Sequence, residues 1–475
     1  MSSPALLFHG KRRTMQVRKQ GGGCMSEKTL VRPVFTGQEL RKLILPLVLE
    51  QFLAVTVGMA DTMMVSTVGE AAVSGISLVD QANLLLIQVF AAMATGGAVV
   101  AGQYLGRRDR DGARDSARQL VYVVLALSVT LAVVCVVFNR HLLRLMFGQV
   151  EPDVMQAAET YFWLSALSYP FIAVYNAGAA LFRSMGNSKV SLLASFIMNV
   201  INIGGNALLI YGFQMGVAGA ATASLFSRMT ACFMVLYLLR SRQNPIYLEQ
   251  VLHLHLDGGK IRSILKVGIP NGIENGMFQI GKLLVAGLVA SFGTASIAAN
   301  AICNNIGSLV SIPAAAIGLG MVTVVGRCMG ADEKKQARTY TRNLLLIAWA
   351  TIVVMNGLIL VLAKPLVGFY AMPASTTDLS LEILREFCLW SIFSWTPSFV
   401  LPNALRAAGD AKFTMCVSMV SMWIFRIGMS YVLAYALDMG LRGVWLAMYI
   451  DWCVRAVIFL WRAKGDRWQQ KKVIE

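Results

Sequence analysis

Residue identities in this chain return at a spacing of 224, so whatever it folds into must be built twice. Pro46 and Glu50 recur as Pro270 and Glu274, Gly69 as Gly293, and Gly102 and Gly106 as Gly326 and Gly330. The basic pair Arg114 and Arg118 returns as Arg338 and Arg342. After a one-residue slip, Arg183, Gly186 and Lys189 return as Arg406, Gly409 and Lys412. The full spacing resumes at Tyr211, Gly216 and Gly219, which match Tyr435, Gly440 and Gly443. Apolar coincidences are common in a hydrophobic chain, but ordered coincidences of Glu, Arg, Pro and Gly are not.

The duplicated unit is a membrane unit. Charged residues make up 14% of the chain and the mean hydropathy is +0.61, whereas a soluble domain carries about 25% charge. Apolar stretches of roughly 20 residues, long enough to cross a bilayer core as helices, fall near 43–66, 73–101, 119–138, 161–182, 190–211 and 219–239. They recur near 268–292, 297–325, 343–362, 386–405, 413–436 and 443–461. Six spans per half is an even number, so both halves enter the membrane in the same direction. The predicted fold is an all-α polytopic membrane protein with twelve transmembrane helices in two parallel six-helix repeats, related by an axis along the membrane normal. Secondary transporters are built this way, with the site where the halves meet.

The formal net charge of +17 invites a nucleic-acid reading, but its distribution already has a topological cause. Alternate loops are basic: Arg107, Arg108, Arg110, Arg114 and Arg118, then Arg240, Arg242, Lys260, Arg262 and Lys266, then Arg327, Lys334, Lys335, Arg338 and Arg342. The tail adds Arg462, Lys464, Arg467, Lys471 and Lys472, while the opposite loops hold only Arg140, Arg144, Lys364, Arg385 and Arg442. This is the positive-inside pattern, and it predicts a multi-pass protein of the cytoplasmic membrane with both termini in the cytoplasm. The expected partners are therefore the lipid bilayer and small molecules, with no nucleic acid.

The segment before the first span holds Lys11, Arg12, Arg13, Arg18 and Lys19 without an apolar core, so it does not read as a secretory signal. Met25 begins a more ordinary N-terminus, and residues 1–24 read as an upstream extension or a disordered tail. Cys24 has no lipid-attachment context. Cys135, Cys232, Cys303, Cys388, Cys416 and Cys453 fall inside apolar spans and Cys328 at a span end, with no CxxC or Cys/His cluster. A disulfide framework or metal site is therefore not expected. His9, His141, His253 and His255 all lie outside the spans, the last two as solvated linker residues.

The expected organisation is a tail over 1–36, an N-terminal lobe over 37–239, a cytoplasmic linker over 240–266, a C-terminal lobe over 267–463 and a tail over 464–475. Asn244–Pro245 and Asp257–Gly258–Gly259 mark the linker as loop. Residues 139–160 read as a long outer connection, with Glu151–Pro152–Asp153 starting a helix. Small residues crowd the second span (AAMATGGAVVAG, 91–102) and the eighth (PAAAIGLGMVTVVG, 313–326), where close helix approach is expected. No phosphate-binding glycine motif follows a strand.

Ionisable residues within spans are costly and are functional candidates by default. They are Glu50 and Asp61 in the first span, Asp80 in the second, Glu274 and Lys282 in the seventh, and Arg426, Asp451 and Arg455 in the last two. Eleven residues of helix turn about 1100° and rise about 16 Å, so Glu50 and Asp61 share a face without touching. Glu50 and Glu274 are symmetry mates, suited to lining an inner gate or to pairing with arginine. Lys282 stands where the first repeat has Gly58, so it breaks the symmetry. Asp451 and Arg455 have the i,i+4 spacing of a salt bridge.

From Pro46 to Gly69 the chain reads PLVLEQFLAVTVGMADTMMVSTVG, which resembles the first helix of the multidrug and toxin extrusion (MATE) family. Asp61 occupies the family's membrane-Asp position, fifteen residues after the proline. The fifth span with Asn199, Asn202 and NALLIYG from Asn206 is also similar, as are LFRSMGNSK at 181–189 and ALRAAGDAK at 404–412. The resemblance covers about residues 36–463 and implies two six-helix lobes with ion coupling at Asp61, through H⁺ or Na⁺. Desolvation favours the protonated form of a carboxylate, which suits proton exchange, while Asn199, Asn202 and Asn206 could supply amide oxygens to an ion. Many relatives carry Asp where this chain has Asn206, a departure that weighs against Na⁺.

The resulting expectation is a monomeric antiporter exporting amphipathic organic cations by rocking of two lobes, with no cofactor beyond its coupling ion. Met59, Met63, Met277, Phe278 and Tyr175 are candidate walls of the substrate cavity, since methionine is adaptable and aromatic faces hold cations. A flippase for an amphipathic lipid is the alternative within transport and predicts a strongly basic central cavity. An enzyme would need paired DxxxD carboxylates or a His within the spans, and neither occurs there, the one DxxxD (Asp111 to Asp115) lying in a basic loop.

Overall fold

The computed structural model describes residues 33–148, 150–249, 255–471 and 473–474, and for Met59 the backbone alone. The expectations for residues 1–32, including His9 and Cys24, and for His253 lie outside the described residues. Every regular element among the described residues is helical. The first half holds α1 (Gly37–Ser66), α2 (Glu70–Gly106), α3 (Arg110–Val137), α4 (Asn139–Phe147), α5 (Pro152–Leu167), α6 (Tyr169–Ser184), α7 (Ser188–Gly212) and α8 (Gly216–Leu239). The second holds α9 (Gly258–Ala290), α10 (Thr294–Gly330), α11 (Lys334–Gly368), α12 (Ala374–Phe399), α13 (Leu401–Ala407), α14 (Ala411–Ala436) and α15 (Gly440–Lys464).

Nine helices among the described residues are long and apolar enough to cross a membrane, and the bent pair α5–α6 makes a tenth. The long helices α9 and α12 complete six per half, α9 carrying both Glu274 and Lys282 in its span. The chain is thus a multi-pass membrane protein of two six-helix lobes.

Local chemistry sets the boundaries. Thr36 starts α1 with a reciprocal cap, its hydroxyl accepting from the Glu39 amide while Glu39 accepts from the Thr36 amide at 2.7 Å. Asp109 caps α3 and Asp257 caps α9. Gly69 and Gly293, which join the first two helices of each lobe, have φ of 134° and 90°, a region that excludes a Cβ at low cost. Their repetition therefore has a backbone cause.

Three expectations need correction. The 139–160 connection contains a helix, α4. The last third of the expected linker is already helical, because Asp257 caps α9 there. The fourth span is not continuous: Pro170, in the first turn of α6, cannot extend the hydrogen-bond ladder, and α5 and α6 meet at 47°. The tail after α15 packs on the C-terminal lobe, with Trp468 1% exposed and Val473 against Gly409.

The lobes meet at the end bearing the basic loops. There α2 and α10 cross so closely that a Cβ on Gly106 would strike the Arg327 carbonyl, and one on Gly330 the Gln103 carbonyl. Gln103 donates to the Ala407 carbonyl at 2.9 Å and Arg327 to the Ser184 carbonyl at 2.9 Å. Val34 N–H donates to Gln336 and the Tyr340 hydroxyl to the Phe35 carbonyl.

Candidate functional site

Each lobe carries the same clamp near its basic end. In the N-terminal lobe, Ser191 of α7 donates to both Glu50 oxygens at 3.0 and 2.8 Å, and Arg183 of α6 stands 3.7 Å from Glu50. In the C-terminal lobe, Glu274 accepts from Arg406 of α13 at 2.8 Å and from Ser418 of α14 at 2.7 Å. Both glutamates are thus charge-compensated by arginine. Tyr175 is buried beside Glu50 and Ser195.

Deeper in the N-terminal lobe, Asp61 sits against α7. Asn206 donates to Asp61 Oδ1 at 2.8 Å. The orientation of the Asn202 amide that satisfies its neighbours turns its nitrogen to Asp61, at 2.7 and 2.9 Å, while its oxygen accepts from Ser224 at 3.1 Å. The structure therefore brings Asp61, Asn202 and Asn206 together. Asn199 stays apart, with no hydrogen bond to Asp61 among the described residues and its Nδ2 unpartnered.

Asp80 and Arg228 are the charged groups that act on Asp61. Asn83 bridges this region, donating to Asp80 at 3.4 Å and accepting from Tyr169 at 2.7 Å. Arg228 donates to Ser168 at 2.6 Å, at the break between α5 and α6. Sequence reasoning missed Arg228, although a basic residue inside an apolar span is itself a signal.

The C-terminal lobe is different. Met277 and Phe278 line a small cavity with Glu274 and Ser418. A larger cavity of about 230 Å³ is walled by Phe278, Lys282, Arg426 and the indoles of Trp395, Trp445 and Trp452. Asp451 binds Ser421 at 2.5 Å, Arg455 at 3.3 Å and Arg426 at 3.8 Å, so the Asp451–Arg455 pair is present and Arg426 joins it. Of the remaining wall candidates, Met63 is 72% exposed, and the Met59 side chain lies outside the described residues. Among the described residues, no three His, Cys, Asp or Glu side chains gather as a metal site would require.

Two duplicated six-helix lobes, each first helix carrying a clamped glutamate and the N-terminal one a deep aspartate, define a two-lobe membrane transporter. The chain belongs to the MatE family of multidrug efflux transporters: the family's model matches residues 46–208 and 270–432, once in each repeat. Among relatives, the chain is 27% identical to the uncharacterized transporter YisQ of Bacillus subtilis, covering 93% of this chain and 97% of that one. It is 25% identical to the probable multidrug resistance protein NorM of Thermotoga maritima, over 92% and 94%. The fold matches a crystal structure of MATE in complex with MaL6, at 20% identity with a TM-score of 0.85, over 91% and 97% of the two chains. An outward-facing multidrug resistance MATE transporter gives a TM-score of 0.84 at 20% identity, over 91% and 96%.

Proposed function

We propose that the chain is a proton-driven antiporter of the cytoplasmic membrane that exports amphipathic organic solutes, with Asp61 as the coupling group. The observation that carries this reading is the setting of Asp61: one acid in a membrane span, held by the amide nitrogens of Asn202 and Asn206. A sodium ion is a hard cation that asks for several oxygen ligands, as other hard cations do. Here Asn206, and Asn202 in the orientation that satisfies its neighbours, turn nitrogen to Asp61, which leaves Asn206 Oδ1 as the one unpartnered oxygen of the two amides. A proton needs only the carboxylate, so the arrangement favours H⁺ over Na⁺.

The positive-inside pattern supports cytoplasmic termini, and with them the sealed seam on the cytoplasmic side. Asp61 and Asp80 suit an organic cation in the N-terminal lobe, and the aromatic cavity offers an apolar bed. The flippase alternative asks for a strongly basic central cavity, whereas in the N-terminal lobe Arg228 is offset by Asp61 and Asp80, and Lys282 with Arg426 makes only the C-terminal pocket basic.

Ethidium efflux from cells expressing the wild type or Asp61→Asn, under imposed H⁺ or Na⁺ gradients, tests the reading. The wild type should export dye down a proton gradient, and the variant should lose at least ten-fold in rate. Equal export by Asp61→Asn would remove Asp61 from coupling. A response to Na⁺ alone would overturn the choice of ion.

A further inference from the structure

We infer that the C-terminal lobe contains a binding site for the anionic group of an aromatic organic acid, a carboxylate or its phosphate or sulfonate equivalent. The inference deepens the export reading by assigning a substrate chemistry to a pocket of its own, and it does not depend on which ion couples.

Cations outnumber carboxylates around one ring of the cavity wall. Phe278 is flanked by three cations: Lys282 Nζ lies 5.1 Å from its ring centroid, Arg426 Cζ 5.3 Å and Arg455 Cζ 5.9 Å. Against them stands one carboxylate, Asp451, which is 0% exposed and already shared between the two arginines and Ser421. Glu274, the next acid, is taken by Arg406. Among the described residues, no carboxylate forms an ion pair with Lys282.

Hydrogen-bond accounting points the same way. Arg426 is 8% exposed, yet its Nε and Nη1 lack a hydrogen-bond partner, and so does Nε1 of Trp452, which is 5% exposed. Both residues line the cavity. Buried polar groups in proteins are overwhelmingly paired, and each exception asks for an explanation. All of these orphans are donors, so their natural complement is a group rich in acceptors. Guanidinium and ammonium together match an oxyanion, and the surrounding indole and phenyl rings match an aromatic body.

The two lobes thereby present opposite chemistry on corresponding helices. The first and fifth spans of the N-terminal lobe offer Asp61 with two amides, while those of the C-terminal lobe offer Lys282 with Arg426. A duplicated scaffold has been turned to receive opposite charges, and a zwitterionic amphiphile would satisfy both.

Equilibrium binding of three ligands that share one ring tests the site: 2-naphthylacetate, 2-naphthylacetamide and 2-naphthylethylammonium. Tryptophan quenching, with the full-length protein in phosphatidylcholine nanodiscs and no gradient, reads each affinity. The carboxylate should bind at least ten-fold more tightly than the amide, and the ammonium more weakly than either. Lys282→Gln should weaken the carboxylate at least five-fold and leave the amide unchanged, and Lys282→Glu should reverse the order of carboxylate and ammonium. Arg426→Gln, at the buried position, is the second variant and should also weaken the carboxylate. Equal affinities for all three ligands, tightest binding of the ammonium, or an unchanged carboxylate affinity in Lys282→Gln would overturn the assignment. Repeating the titration with phosphatidylglycerol in the disc separates occupants: competition assigns the anion site to a lipid headgroup, and its absence to a free solute. Because no gradient is present, a failure here leaves the Asp61 reading standing, and the reverse also holds.

Discussion

Arg406 shows how a buried charge can be structural and still sit beside function. It meets Glu274 at 2.8 Å, and Glu274 is 8% exposed, with only Ser418 as a further donor. Removing one partner of a buried pair strands the other charge. Arg406→Leu should therefore lower stability by about 3–5 kcal/mol. Arg183→Leu should cost less, because Glu50 lies 3.7 Å from Arg183 and keeps two bonds from Ser191. Thermal unfolding in detergent measures both, and adding Glu274→Gln to Arg406→Leu should restore most of the loss. An Arg183 variant as unstable as the Arg406 variant would contradict this ranking. The sequence marked Glu50, Glu274, Arg183 and Arg406 as repeated residues, and periodicity alone could not pair them, because their meeting depends on how α6 and α13 dock. Asp61 with Asn202 and Asn206 was legible as a pattern. Arg228 carried a signal as a basic residue inside an apolar span, but its partner Ser168 stands at the break between α5 and α6, which periodicity did not mark.

At the scale of elements, the repeat exposed which glycines recur but not which ones matter for contact. Gly102 and Gly326 have room for a Cβ at ordinary distances, 3.9 Å from Ser184 Cβ and from the Val99 carbonyl. Gly106 and Gly330 do not, since each faces the backbone of the opposite lobe. Gly330→Val should therefore hold α2 and α10 apart at the basic end, while Gly102→Ala and Gly326→Ala should export like the wild type. Spin labels at Arg110 and Lys334 would report a longer distance in Gly330→Val, together with impaired efflux. An unchanged distance would mean that the seam yields without opening. The helices that bear the candidate sites share another trait invisible to hydropathy. α7 widens into i→i+5 turns over Ala207–Gly212, and α14 does so over Met422–Gly428. Such turns are uncommon and gather at functional sites. They follow Asn206 directly and contain Arg426, so the loosened backbone lies where the two lobes carry their distinctive polar groups.

At the scale of the molecule, duplication has produced lobes alike in fold and unlike in detail. The α2–α9 seam is closed by two facing glycines: a Cβ on Gly96 would lie 2.8 Å from the Gly268 nitrogen. At the equivalent α10–α1 seam, Gly320 faces Ile44, and a Cβ would lie 3.3 Å from its Cγ1. The lateral seams therefore differ in tightness, just as the pockets differ in charge. What remains symmetric is the crossing of α2 and α10 at the sealed end, Gly106 against Arg327 and Gly330 against Gln103, and beside it Val34 donates to Gln336 at 2.9 Å. If export proceeds by rocking of the lobes, that contact must break in every cycle. A short bifunctional maleimide joining Val34→Cys to Gln336→Cys, with the exposed Cys416 replaced by Ser, should stop efflux. Either single cysteine variant treated in the same way should keep it. The tether should leave naphthylacetate binding intact, because the C-terminal pocket lies away from the sealed end. Continued export by the tethered protein would mean that substrate passes without separation of α1 from α11, and rocking about this seam would have to be abandoned.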